Sequence, residues 1–200
     1  MAVTVVAKRK LYAVNVHGRI PDHTVEHTTL ATDAAVTGPR VGLGWLSDTG
    51  HWGARGHRYP IDACLSETVL VAELRAVAYA WRRIKPTGPV TLLLDSQDAI
   101  EYLRRWQGGD GRLPAAYRSA YRTDDATPAL VGLADTLAGR PEVTVRWVEG
   151  HTGHILNEAA DSLAKLGLRG NLSHSEAIAA GRVIAANRLA DLHALEASDA

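Results

Sequence analysis

Four carboxylates occupy positions where apolar neighbours would lead one to expect none. Asp33 closes the stretch Thr28 to Asp33, and Asp95 follows directly on the apolar run Val90 to Leu94. Glu73 lies between Ala72 and Leu74, and Asp161 follows Ala160 close to Leu163. Taken singly, each is a cap, a salt bridge or a boundary residue. Taken together they describe a site, because ligands of an open sheet gather beyond the carboxyl ends of strands where the connection order switches. Crowded carboxylates repel one another and resist desolvation, and a divalent cation relieves both penalties. Oxygen donors without clustered cysteines favour Mg²⁺ or Mn²⁺ over zinc. Two such ions about 4 Å apart activate a water and stabilise the leaving oxygen of a phosphodiester.

A second constellation is Gly150-His151-Thr152-Gly153-His154-Ile155-Leu156-Asn157-Glu158-Ala159-Ala160-Asp161. Glycines around His151 suit a histidine that must approach and leave a reaction centre. Asn157 and Asp161 are four apart and share a helix face. The His-x-x-His pair is also a zinc fragment, but no third or fourth ligand stands nearby in sequence, which disfavours zinc. His154 is expected to order the start of the helix, and His151 to have a functional role.

These residues need a frame. The spacing predicts strands over Thr28 to Asp33, Val41 to Leu46, His51 to Tyr59, Val90 to Leu94 and Val143 to Val148. Ser47-Asp48-Thr49-Gly50 makes the second and third of these a hairpin. Leu70, Leu74, Val77, Trp81 and Ile84 line one face of a helix opening at Ser66. Ser96 caps a second helix with Ala99, Leu103 and Trp106 inward. Thr127-Pro128 reads as a cap followed by proline at the first helical position of a third. Asn157 to Leu168 is a fourth helix. The expected fold class is α/β: a five-stranded mixed sheet, an antiparallel meander followed by parallel strands, with helices on both faces. Residues 1–27 are expected to form an extension with strand candidates at Val3 to Val6 and at Leu11 to Val16 and a turn at Gly18 to His23. Residues 170–200 are expected to be a peripheral helix or tail.

Composition sets the limits. Two hundred residues, 46% hydrophobic and 22% charged, form a globular chain with one main domain. Basic and acidic residues balance at 22 each, so any nucleic-acid contact must come from local patches. Phenylalanine is absent, and five tryptophans help fill the core. The lone Cys64 and the lack of a signal-like or membrane-length apolar run point to a cytoplasmic protein without a membrane partner.

The stretch Val145-Arg146-Trp147-Val148-Glu149-Gly150-His151-Thr152-Gly153-His154, continuing to Asn157-Glu158 and Asp161, resembles the C-terminal motif of type 1 ribonuclease H (RNase HI). Thr32-Asp33, Ala72-Glu73-Leu74 and Leu94-Asp95-Ser96-Gln97 are similar to that family's other three motifs, in the same order. The resemblance covers residues 28–169. It implies a ribonuclease H-like fold and hydrolysis of the RNA strand of RNA–DNA hybrids; the protein is expected to be a monomer. Asp33, Glu73, Asp95 and Asp161 would hold two Mg²⁺ ions, with Mn²⁺ as an alternative, and the products would carry 5′-phosphate and 3′-hydroxyl ends. His151 would assist proton transfer or product departure. Ser96, Gln97 and Asn157 match positions beside the substrate backbone, and Thr68 matches one that grips a DNA phosphate.

The chain departs from the family in three places. Val69, Leu70 and Val71 stand where asparagines often touch the minor groove. The loop Ala34 to Arg40 is short and poor in glycine. In place of a long basic protrusion, residues 104–122 carry Arg104, Arg105, Arg112, Arg118 and Arg122 against Asp110 alone, with Trp106, Tyr117 and Tyr121 interleaved. Arg104 and Arg105 are thus candidate substrate contacts. The alternatives are a nuclease of the same fold acting on another duplex, such as double-stranded RNA, and a non-catalytic hybrid-binding module.

Overall fold

The computed structural model describes residues 14–21, 27–58, 65–117 and 127–198. In chain order the elements are β1 (Asn15–Arg19), β2 (Thr28–Thr37), β3 (Arg40–Ser47), β4 (His51–Arg58), α1 (Leu65–Ile84), β5 (Val90–Leu94), α2 (Gln97–Gln107), α3 (Ala129–Leu137), β6 (Val143–Trp147), α4 (Ile155–Gly167) and α5 (His174–Ser198). The sheet is mixed, with strand order β1-β4-β3-β2-β5-β6. β2 is the hinge of the topology, pairing antiparallel with β3 and parallel with β5.

Alternation along the strands packs both faces of the sheet. Leu30, Leu92 and Leu94 pack with α1, α2 and α3 on one face. Ala31 and Leu93 pack with α4 and α5 on the other. β5 is buried along its whole length, as its unbroken apolar run implies.

Four expectations are corrected. Among the described residues the sheet has six strands rather than five, because β1 pairs with β4 from Asn15 to Arg19. Within the segment expected to turn from Gly18 to His23, Gly18 and Arg19 are still strand and Pro21 is in a turn: Gly18 faces Trp52, and a Cβ there would lie 2.9 Å from the indole. The expected strand at Val3 to Val6 lies outside the described residues, and that at Leu11 to Val16 overlaps β1 at Asn15 and Val16. β2 runs on past Asp33 to Thr37, because Ala34 to Thr37 contains no turn former and the chain reverses only at Gly38, whose φ is 55°. In α3 the cap position belongs to Pro128 itself, with ψ 144° and no side-chain cap bond, so Thr127 is one residue too early to cap.

α5 is a full 25-residue helix. Its buried side is the small-residue stripe Ala177, Gly181 and Ala185, ending in Leu189. No helix among the described residues is long and apolar enough to cross a membrane.

Candidate active site

The register of the parallel strands brings the first two carboxylates together. Ala31 of β2 pairs with Leu93 of β5. Two residues on, Asp33 and Asp95 fall level and on the same face of the sheet, since side chains repeat with period two. Asp33 is mid-strand towards β3, where it pairs with Gly44, but it lies just past the last parallel pairing. The switch point of the sheet is thus where the two aspartates meet.

α4 delivers the third. It lies directly on the backbone of β3: a Cβ on Gly44 would come 2.1 Å from the Ala160 carbonyl oxygen, and one on Gly42 would come 2.0 Å from that of Ala164. Only glycine allows this approach. Gly44 pairs with Asp33 and underlies Ala160, so Asp161, the next residue, is set beside Asp33.

α1 brings Glu73 in from the opposite side. Glu73 is only 4% exposed. Its Oε1 accepts a hydrogen bond from the Ala34 amide at 3.3 Å, and the same amide donates to Asp33 Oδ1 at 2.7 Å. Its Oε2 is buried without a hydrogen-bond partner. Asp33, Glu73 and Asp95 offer ligand oxygens that all lie within 4.8 Å of one another.

The electrostatics follow from this crowding. Burial, and then the negative charge of Asp95, push the Asp33 carboxyl up to about 7, against the pull of the Ala34 amide. Burial pushes Glu73 well above the usual carboxylate range, and Asp33 and Asp95 add to it. Asp161 reaches the cluster too, since its charge and hydrogen bonding also raise Asp33. On its other side it accepts from Lys165 Nζ at 2.6 Å, one helical turn on.

His151 stands in the loop between β6 and α4, exposed and in the left-handed region with φ 57°. That conformation is uncommon outside glycine and marks a loop whose path is held by its surroundings. The Val148 amide donates to the Leu94 carbonyl at 2.9 Å, and a Cβ on Gly150 would sit 2.8 Å from Asp95 Oδ2. The glycine therefore lets the loop press against the aspartate. His151, Glu158 and Asp161 form a second group whose ligand atoms lie within 4.8 Å of one another. His154 occupies the cap of α4 through its backbone alone: its carbonyl accepts from Glu158, and its side chain makes no cap bond.

The other expected site residues are more dispersed. Ser96 caps α2, its Oγ accepting from the Ala99 amide at 3.3 Å. Asn157 is 3% exposed, and its Oδ1 is buried without a partner. Thr68 is buried on α1, about 7.5 Å along the axis from Glu73 at 1.5 Å per residue. Gln97, Arg104 and Arg105 line an open groove of about 540 Å³ together with Ile100, Glu101 and Trp147. Within it, Arg104 donates to the Val145 carbonyl and Arg105 pairs with Glu101. Trp106 is fully buried and donates to the Arg112 carbonyl, and Tyr117 packs on the core, so both are structural. Arg118, Tyr121 and Arg122 lie outside the described residues.

Sequence reasoning gave no role to Lys165, Glu158 or Trp147. The Asp161–Lys165 pair was legible as an i,i+4 contact. Trp147 was not, because an apolar residue ending a strand normally turns inward, whereas this one is half exposed.

The carboxylate cluster fits a divalent cation. The donor set is oxygen only, one buried oxygen is orphaned, and two carboxyls are held protonation-prone by one another and by burial.

The family model described as RNase H matches residues 25–169. Ribonuclease H of Anaeromyxobacter dehalogenans (strain 2CP-C) is 34% identical over 126 residues, 61% of this chain and 66% of that protein. Ribonuclease HI of Caulobacter vibrioides is 37% identical over 99 residues, 48% of this chain and 64% of that protein. Ribonuclease H of Tropheryma whipplei (strain Twist) is 32% identical over 128 residues, 62% and 72% of the two chains. The match thus spans about two thirds of these relatives' length. With a mixed sheet switching at β2 and the four motif carboxylates gathered at its switch point, the chain belongs to the RNase H family.

Proposed function

We propose that this protein is an endoribonuclease that hydrolyses the RNA strand of RNA–DNA hybrids, leaving 5′-phosphate and 3′-hydroxyl ends. The observation that carries the reading is the convergence of Asp33, Glu73 and Asp95 on one point, with Asp161 beside Asp33. Asp33, Glu73, Asp95 and Asp161 would hold two divalent cations, Mg²⁺ or Mn²⁺. When bound, such a pair supplies an activated water and stabilises the departing 3′-oxygen.

The chain's own residues do the rest. Burial and mutual repulsion keep Asp33 and Glu73 ready to exchange protons for a cation. Lys165 holds the Asp161 carboxylate in place from the solvent side. His151, exposed beside Glu158 and Asp161, carries a proton to or from the reacting phosphate, or escorts the product out. Gln97 opens the groove that leads away from Asp95. Residues 28–169 form the catalytic domain, with 1–27 and 170–200 as extensions of a cytoplasmic monomer.

Double-stranded RNA is the second substrate reading. It rests on Val69 to Val71: Val71 is fully buried and Leu70 packs on the core, so two of these three positions serve packing rather than a minor groove. Four end-labelled 20-mers decide between the two: RNA–DNA hybrid, double-stranded RNA, double-stranded DNA and single-stranded RNA, each with Mg²⁺, Mn²⁺ or EDTA. Metal-dependent cutting of the hybrid's RNA strand alone is the expected result. Equal or faster cutting of double-stranded RNA overturns the substrate assignment. Binding of hybrid without cutting would make the protein a binding module.

A further inference from the structure

The groove beside the carboxylate cluster has a feature that the hydrolytic chemistry does not require. Trp147 ends β6 with 50% of its surface exposed, while Trp45, Trp52, Trp81 and Trp106 are all at most 6% exposed. Its indole nitrogen donates to the main-chain carbonyl of Asp95 at 3.1 Å, so the ring is anchored to a residue of the site itself. The groove runs from Gln97 past Ile100 to Arg104 and Arg105, about 12 Å along α2 at 1.5 Å per residue. Arg104 is held by the Val145 carbonyl and Arg105 by Glu101, so both guanidinium groups are positioned at its far end.

An anchored aromatic surface beside Ile100 and two positioned arginines, one of them paired with Glu101, form the pattern that receives a single strand: bases stack on the ring and phosphates meet the guanidinium groups. A base pair inside a duplex is stacked on both faces and has none to offer. We infer that the Trp147 groove binds unpaired nucleotides of a strand that continues past the hybrid, making the junction between hybrid and single strand a preferred place to dock. The inference rests on the hybrid-nuclease reading above and adds a substrate feature to it. The two ends of the groove divide the work. Trp147 beside Asp95 takes the base next to the site, and Arg104 and Arg105 take the backbone further out. One chemistry, a flexible phosphodiester strand with free base faces, covers both RNA and DNA tails.

The test uses the full chain in EDTA, so that nothing is cut. Blunt hybrid is compared with the same hybrid carrying a short single-stranded tail on the 5′ or 3′ end of either strand, and with oligothymidylate and oligouridylate alone. Because the other four tryptophans are buried, quenching of intrinsic fluorescence reports on Trp147. Saturable quenching by single strands and by at least one tailed hybrid is expected, with the tailed form binding about tenfold more tightly than the blunt one. Trp147→Ala removes both the quenching and the tail advantage, whereas Trp147→Phe, which keeps an aromatic face without the indole donor, retains most of the advantage. Arg104→Gln lowers the slope of log affinity against log salt by about one. A wild type without a tail advantage overturns the inference, as does an advantage that survives in Trp147→Ala. Cleavage of blunt hybrid with Mg²⁺ is scored separately. A protein that cuts blunt hybrid but ignores tails refutes only the groove, and one that binds tails but cuts no hybrid refutes only the nuclease.

Discussion

Glu73 and Arg75 stand two residues apart on α1 and belong to opposite kinds of charge cluster. On one side, Glu73 meets Asp33 and Asp95, and nothing within the group settles the repulsion: one carboxylate oxygen is left orphaned and the Asp33 carboxyl is pushed up to about 7. On the other, Arg75 faces β4, where Arg55 and His57 crowd it. Here the charge is lowered within the group, although His57 Nδ1 is itself buried without a hydrogen-bond partner. Arg75 donates to His57 Nε2 at 3.1 Å, burial and the two arginines push the imidazole down to about 3, and the Arg55 guanidinium lies 3.9 Å from the centre of the Tyr79 ring. Both are buried groups of like charge. The basic one makes its histidine neutral and stacks its arginine, so it acts as scaffold. The acidic one is left incomplete without a cation, and that incompleteness marks a site.

The sharpest way to break this contrast is to remove one acid. Asp33→Asn or Asp95→Asn is expected to abolish hybrid cleavage while the circular dichroism spectrum stays native. Substantial residual activity in either would remove the carboxylates from the metal assignment. His151→Ala is expected to slow turnover on the order of 10²-fold without abolishing it, measured as kcat on hybrid. An unchanged rate would take His151 out of the mechanism.

Stability should separate the two clusters by pH. Asp33 has a folded-state pKa above its ordinary value of 3.8, so its contribution to stability is full below about pH 4 and lost as pH rises through about 7. A divalent cation reverses that loss. At pH 8, Mg²⁺ at about a hundred times its Kd is expected to stabilise the fold by about 2.7 kcal/mol, with an effect that fades below pH 7 as Asp33 takes up a proton. Thermal melts of wild type and Asp33→Asn, with and without Mg²⁺, read this directly. The variant should melt a few degrees higher than wild type without metal and respond less to its addition.

His57 has the opposite sign. Its folded pKa lies below the ordinary 6.5, so its contribution to stability is full above pH 6.5 and lost as pH falls towards about 3. His57→Gln should flatten the acid limb of the stability curve, by at most about 1.4 kcal/mol per pH unit. It should leave kcat within about twofold, because the residue packs away from the carboxylates. A large loss of turnover would mean that the two clusters on α1 communicate.

Much of this was legible from sequence, for physical reasons. β5 announced itself because a strand covered on both faces must be apolar throughout, and α1 and α2 because their stripes repeat at helical spacing. The four carboxylates stood out because acids set among apolar neighbours are unusual, and His151 because glycines flank it on both sides. The exact extent of β2 did not, since Ala34 to Thr37 favours neither a strand nor a turn strongly and its pairing with β3 decides. α5 was faint because its buried stripe is alanine and glycine, which carry little hydrophobic signal at any period. The depth of Asn157 and the outward pose of Trp147 are tertiary facts that no local pattern encodes.

The ring of Trp52 ties together two segments from distant parts of the sequence. It lies against Gly18 of β1, while a Cβ on Gly181 of α5 would come 2.3 Å from it. Neither segment can leave without uncovering the same indole. β1 and α5 should therefore open as one cooperative unit, their amides exchanging with solvent at a common free energy below that of β5. A breathing motion of that kind would start at the outer edge of the sheet and stop short of the strands that carry Asp33 and Asp95.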